Sequence, residues 1–260
     1  MTSAAFSAKS LAAMDDSATT KDSPWLREKL VASWPEIIAV LILTSGYYDY
    51  CAAAIGYFRE TGHYVNLLHS NYRLIHLTAG ESAILALLLV FLYWRGWKPS
   101  DFKIRIGWWS SLQGIFLLAL WIVGFIGTTF ILLTLRRHHL AMGLYAVAGS
   151  HPQIHRKVLS WAVIIISNFI NAYFEELTVM GYAFNQFAAK RGPLFALLAT
   201  VVLRLLTHTW KEPLFLMETA LAFLLFGIFY WRTRKLWPLL FAHAIFDIIL
   251  DFLSAAKTTF

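Results

Sequence analysis

The stretch VLSWAVIIISNFINAYFEELTVMGYAFNQFAA, from Val158 to Ala189, decides the fold. A bilayer core is crossed by about 20 residues of helix, so this run is too long for one perpendicular span. It reads as a tilted, kinked helix or as two segments meeting near Phe174. Asn168, Asn171, Glu175, Thr178 and Tyr182 recur at steps of three and four, which puts one polar stripe on an otherwise apolar helix. Glu176 is rotated by about 100° from that stripe and shares a face with Met180. An ionisable side chain near the bilayer centre costs about 2.5–3.5 kcal/mol, so two adjacent acids here face the protein interior and carry a task.

Outward from this stretch, apolar blocks run from Pro35 to Phe58, Leu74 to Trp94, Trp108 to Leu135, Pro193 to Trp210, Pro213 to Trp231 and Pro238 to Leu253. The last three have a proline near the start, where its missing N–H costs nothing. The expected fold is all-α: a polytopic transmembrane helix bundle of seven spans, or eight if the fourth is split. Three regions follow: a disordered polar tail over 1–33, N-terminal spans over 34–157 and a polar-bearing core over 158–255. No cleaved signal peptide is expected, because a charged leader precedes the first block and Asp49 interrupts it.

Of the 260 residues 58% are hydrophobic and 14% charged, and the net charge is +7. The basic residues lie between the apolar blocks rather than on one face, which argues against a nucleic-acid partner and for membrane lipids. With the N-terminus cytoplasmic, 13 of them fall on that side and eight on the other, a weak bias for that orientation. Tryptophans 94, 97, 108, 109, 210, 231 and 237 stand at block ends, as an aromatic belt requires. The single cysteine, Cys51, reads as a small buried side chain. No internal repeat is visible, which weighs against a transporter.

Two more blocks carry polar residues at membrane depth. Arg204 and His208 are four apart, as are His243 and Asp247, with Asp251 a further turn on near the helix end. Glu218 and Asp49 are lone acids and read as border or hydrogen-bonded positions. Two chemistries fit the set. Glu175 takes a proton from a water held by His208, the hydroxide attacks a peptide carbonyl, and His243 donates to the oxyanion. Alternatively, Glu175, His208 and His243 ligate zinc in a His₂Glu pattern, although no HExxH spacing is present.

From Asn168 to Asp247 the chain resembles the CPBP family of intramembrane proteases, also called the Abi or CAAX-protease family. Its EExxxR motif is matched by Glu175-Glu176-Leu177-Thr178-Val179-Met180, and its FxxxH motif by Arg204-Leu205-Leu206-Thr207-His208. Its HxxxN or HxxxD motif is matched by His243-Ala244-Ile245-Phe246-Asp247, and the run Leu225 to Tyr230 also looks familial. The resemblance implies a metal-independent, glutamate-type endopeptidase needing no cofactor. It implies that Glu175 and His208 activate water and that His243 with Asp247 forms the oxyanion site; Glu176 joins these as a catalytic candidate, and Arg204 and Asn171 are read from their own positions as supporting residues. The implied substrate is a peptide or protein, lipidated or membrane-embedded, and a bacterial cytoplasmic membrane is the expected location.

Two positions depart from the family pattern. Met180 stands where the family has Arg, and Arg204 where it has Phe. Together they suggest that Arg204 supplies the missing cation and pairs with Glu176 across two helices. The alternatives are a proteolytically silent member acting as scaffold or immunity-type protein, and a transporter with a polar pathway. An ionised Asp247 cannot donate to an oxyanion, so it is either protonated or serves to hold His243.

Overall fold

The computed structural model describes Leu26 and residues 30–46, 71–137, 160–208 and 213–256, with a few side chains inside these helices left aside. Ser33 opens α1 (Trp34–Leu41): its Oγ accepts from the Glu36 N–H at 3.3 Å and Pro35 occupies the first turn. The chain continues as a π-helix, Ile42–Gly46. Helix α2 (Asn71–Trp94) ends at Gly96, whose φ of 84° only glycine adopts without strain. A 3₁₀ turn (Pro99–Phe102) leads to α3 (Trp108–Arg137). Then come α4 (Trp161–Glu176), a π-helix (Leu177–Phe184) and α5 (Asn185–Arg191) without a break. Gly192 reverses the chain into α6 (Pro193–Thr207), followed by α7 (Pro213–Thr233) and α8 (Trp237–Ala256).

The described residues are thus all-α, as expected. Among the described residues three helices are, by length and composition, long and apolar enough to cross a membrane: Leu74–Trp94, Trp108–Ile131 and Trp161–Arg191. Three shorter apolar helices are Trp34–Thr44, Pro193–Thr207 and Thr219–Thr233, so three of the expected spans meet both criteria. The long fourth block is one continuous helical rod rather than two segments. Its irregularity is the π-turn that starts at Leu177, three residues beyond the expected meeting point at Phe174. Asp49, Cys51, Arg156, Lys157, Trp210, Lys211 and the Glu218 side chain lie outside the described residues, as does nearly all of the 1–33 tail. The end of that tail is held. Leu30 and Ala32 are buried, and the Gln186 amide accepts from the Ala32 N–H at 2.8 Å and donates to the Leu30 carbonyl at 2.9 Å. A fully buried amide needs such partners, and local composition gave no sign of it.

Helix α8 packs on α3 and α4, α7 on α6 and α3, and α2 on α4. Trp121 of α3 stacks on Phe246 of α8 at 3.6 Å between ring centroids, and the Trp237 indole N–H donates to Ser111 Oγ at 3.0 Å. The close approach of α3 and α8 depends on Gly114. A Cβ there would stand 3.0 Å from both the Pro238 carbonyl oxygen and Phe241 Cδ1. Gly114→Val is therefore expected to cost about 1–3 kcal/mol by overpacking, read as a lowered unfolding midpoint in detergent. Gly127→Ala, on the same helix with nothing within 4 Å, should be neutral or slightly stabilising. Equal midpoints for the two variants would contradict the packing argument.

Candidate active site

Glu175 and Glu176 are the last two residues of α4, where the helix passes from α to π geometry. A π-turn holds more residues than an α-turn and is found most often at functional sites. Here it interrupts the polar stripe. Asn168, Asn171 and Glu175 face α8, whereas Thr178 and Tyr182, beyond the change of geometry, are buried, Tyr182 against Trp97 at 6.0 Å. Of the expected stripe, Tyr182 has turned from α8 toward Trp97.

Glu176 is fully buried between two partners from other helices. Its Oε2 lies 2.6 Å from Arg204 Nη2 of α6, and its Oε1 lies 2.8 Å from His243 Nδ1 of α8. Arg204 is itself 1% exposed, and its Nη1 reaches Glu175 Oε2 at 3.5 Å. One guanidinium therefore serves both acids, the cross-helix pairing that the motif departures suggested. The Arg204–Glu176 contact is close but poorly aligned for a hydrogen bond, so it acts through charge. The Phe223 ring, 4.7 Å from Arg204 Cζ, supports the guanidinium from its other side.

Glu175 differs from its neighbour in access. Its side chain is 23% exposed, and its Oε2 stands 4.0 Å from His243 Nε2. The same His243 nitrogen lies 3.3 Å from Asp247 Oδ2, one turn along α8, and the Asn171 amide donates to that Asp247 oxygen at 3.4 Å. His243 is thereby fixed at both nitrogens, with Trp121 edge-on at 6.2 Å closing the apolar side. One turn further, the Asn168 amide donates to Asp251 at 2.9 Å. Numbers rise along α4 as they fall along α8, so three polar rungs tie an antiparallel helix pair in one register. Asp251, expected near the solvated end, and Asn168 are part of this ladder. Their i+4 and i−3 offsets from Asp247 and Asn171 were the available signal.

His208 is not on a helical face. Helix α6 ends at Thr207, and His208 is its C-cap, with φ −107° and ψ 9°. Its Nδ1 lies 2.8 Å from the Arg204 carbonyl. A carbonyl only accepts, so the proton is on Nδ1 and the neutral ring presents an acceptor at Nε2. Thr207 Oγ1 is 3.1 Å away and Phe223 lies 5.2 Å off between centroids, and His208 joins the network through Arg204. Among the described residues no group of three or more His, Cys, Asp or Glu side chains is placed to hold a metal ion. His243, a ligand in the zinc alternative, meets a carboxylate at each ring nitrogen, Glu176 at Nδ1 and Asp247 at Nε2.

Residues 157–249 match the sequence profile of the family described as Type II CAAX prenyl endopeptidase Rce1-like, about a third of the chain. No curated protein and no solved structure gives a match. The matched region contains α4, the π-turn, α5 to α7 and α8 as far as Ile249, hence every member of the network except Asp251. Over these residues the chain is similar to the CAAX-protease, or CPBP, family that its three helix motifs resemble.

Proposed function

We propose that the chain is an intramembrane endopeptidase that hydrolyses a peptide bond through water activated by Glu175 and His208. The observation that carries the reading is the unequal pair of acids: Glu176 is sealed between Arg204 and His243, while Glu175 keeps an accessible carboxylate beside the same two groups. A structural ion pair needs one acid. The second, partly open acid is what general-base chemistry requires. Glu175 takes a proton from water, and the resulting hydroxide bonds to the peptide carbonyl carbon. His243 shares its one Nε2–H between Asp247 and the oxygen that becomes negative. The C–N bond then breaks as Glu175 returns its proton to the leaving amine. Asp247 accepts from His243 and Asn171 and so orients the donor rather than acting as one.

The presence of Arg204 beside both acids favours a working site over the silent scaffold, since the cation missing at Met180 is replaced. The substrate class is a peptide reached from the bilayer, lipidated or membrane-embedded, and the proposed location is a bacterial cytoplasmic membrane. His208→Ala is expected to lower cleavage of a peptide library by at least about 10²-fold in kcat, with a chelator leaving the wild type unchanged. Cleavage by the variant at the wild-type rate would overturn the role of His208. Loss of wild-type activity on chelation would restore the metal alternative.

A further inference from the structure

The ends of α1, α2, α3, α5, α7 and α8 that carry Trp34, Trp94, Trp108, Arg191, Thr233 and Trp237 lie at one face of the bundle. Glu36 pairs with Arg95 at 2.8 Å, Lys190 sits 5.4 Å over the Trp34 ring, and Trp237 bonds Ser111. The acids described at this face are spent: Glu36 on Arg95, and Asp101 on the Lys98 N–H at 2.7 Å. The side chains of Lys98, Lys103, Arg105 and Arg191 are exposed. Beside them Ile106, Trp108 and Trp109 are 75%, 72% and 77% exposed, among the highest values for large apolar side chains in the molecule.

The segment between α2 and α3 is a built platform. Trp97 stacks on Phe102 at 5.0 Å between centroids, both rings are buried, and Phe102 packs against Gly181 of the π-helix. The 3₁₀ turn stops at Lys103, held at φ 47°. Residues 103–109 therefore leave a fixed base with cations and aromatic rings side by side. Indole rings and basic side chains meet together at one depth of a bilayer, the headgroup layer, and exposed cations there attract negative lipid charge.

We infer that the 98–109 platform is a docking surface for anionic phospholipid headgroups, with Lys98, Lys103 and Arg105 binding phosphate and Ile106, Trp108 and Trp109 entering the acyl boundary. This does not depend on the proteolytic reading. The test is thermal unfolding in nanodiscs of phosphatidylcholine alone and with phosphatidylglycerol added. The wild-type midpoint is expected to rise by a few degrees in the anionic discs at low salt and to fall back at high salt. The variant Lys98→Gln/Lys103→Gln/Arg105→Gln should match the wild type in neutral discs and lose most of the rise. An equal rise in both proteins, or one insensitive to salt, would overturn the inference. Stabilisation of the wild type in neutral discs by polyglutamate would assign the surface to an acidic polypeptide instead. Native mass spectrometry of the wild type supplies a readout independent of the variant. Retention of phosphatidylglycerol several-fold above phosphatidylcholine is expected, and equal retention counts against the site.

Discussion

Glu175→Gln is expected to reduce peptide hydrolysis by at least about 10²-fold in kcat, while the unfolding midpoint stays near that of the wild type. The amide keeps the size of the side chain and its acceptor oxygen, but it cannot take a proton from water. Stability should hold because Glu175 is the looser of the two acids: 23% exposed, 3.5 Å from Arg204 and 4.0 Å from His243. At these distances Glu175 holds its buried partners less tightly than Glu176 does at 2.6 and 2.8 Å. Glu176→Gln should behave in the opposite way. Its carboxylate is fully buried and balances Arg204, so the change leaves a buried guanidinium short of its counter-charge and lowers the midpoint as well as the rate. Kinetics and calorimetry on both variants separate the roles. Loss of stability without loss of rate in Glu175→Gln would remove the general-base assignment.

What the sequence made legible followed from local spacing. Glu175 with Asn171, Arg204 with Thr207 and His208, and His243 with Asp247 are each within one turn, and helix geometry alone places such neighbours together. Reading Met180 and Arg204 as a compensating pair also located the contact between Arg204 and Glu176, because a buried acid needs a cation and Met180 cannot supply it. Three features were out of reach. The π-turn over Leu177–Phe184 has the composition of an ordinary apolar helix, and it packs against Trp97, Phe102 and Leu236, which are distant in sequence. The end of α6 at Thr207 moves His208 from a helical face to a cap, although no glycine or proline marks the site. The register of α4 against α8, which joins Asn168 to Asp251, is a property of two helices and cannot be read from either one.

The pairing of Arg204 with two carboxylates leads to the second large effect, and to a reversal of it. Arg204→Met leaves Glu176 buried with His243 as its remaining polar partner among the described residues, and breaking a buried pair from one side costs about 3–5 kcal/mol. Midpoint and activity should both fall steeply. Met180, also fully buried, lies four residues beyond Glu176 on the same helical rod, just short of one full π-turn, so its side chain stays near the Glu176 face. An arginine at 180 therefore approaches the Glu176 carboxylate from its own helix instead of from α6. The exchange Arg204→Met with Met180→Arg keeps charge and composition constant and should regain at least half of the lost stability, with activity recovering in parallel. It will fall short of the wild type, because Met180 packs near Gly227 and Leu197, where an arginine stem meets tight walls. Met180→Arg alone puts two guanidiniums beside one buried acid and should be destabilising. If the exchanged protein is no more stable than Arg204→Met, then Arg204 is held by Glu175 and Phe223 on α6's own terms, and the cation at 204 does not replace one at 180. If stability returns and hydrolysis does not, the cation serves the fold, and the position of the guanidinium against Glu175, rather than its charge alone, governs the chemistry.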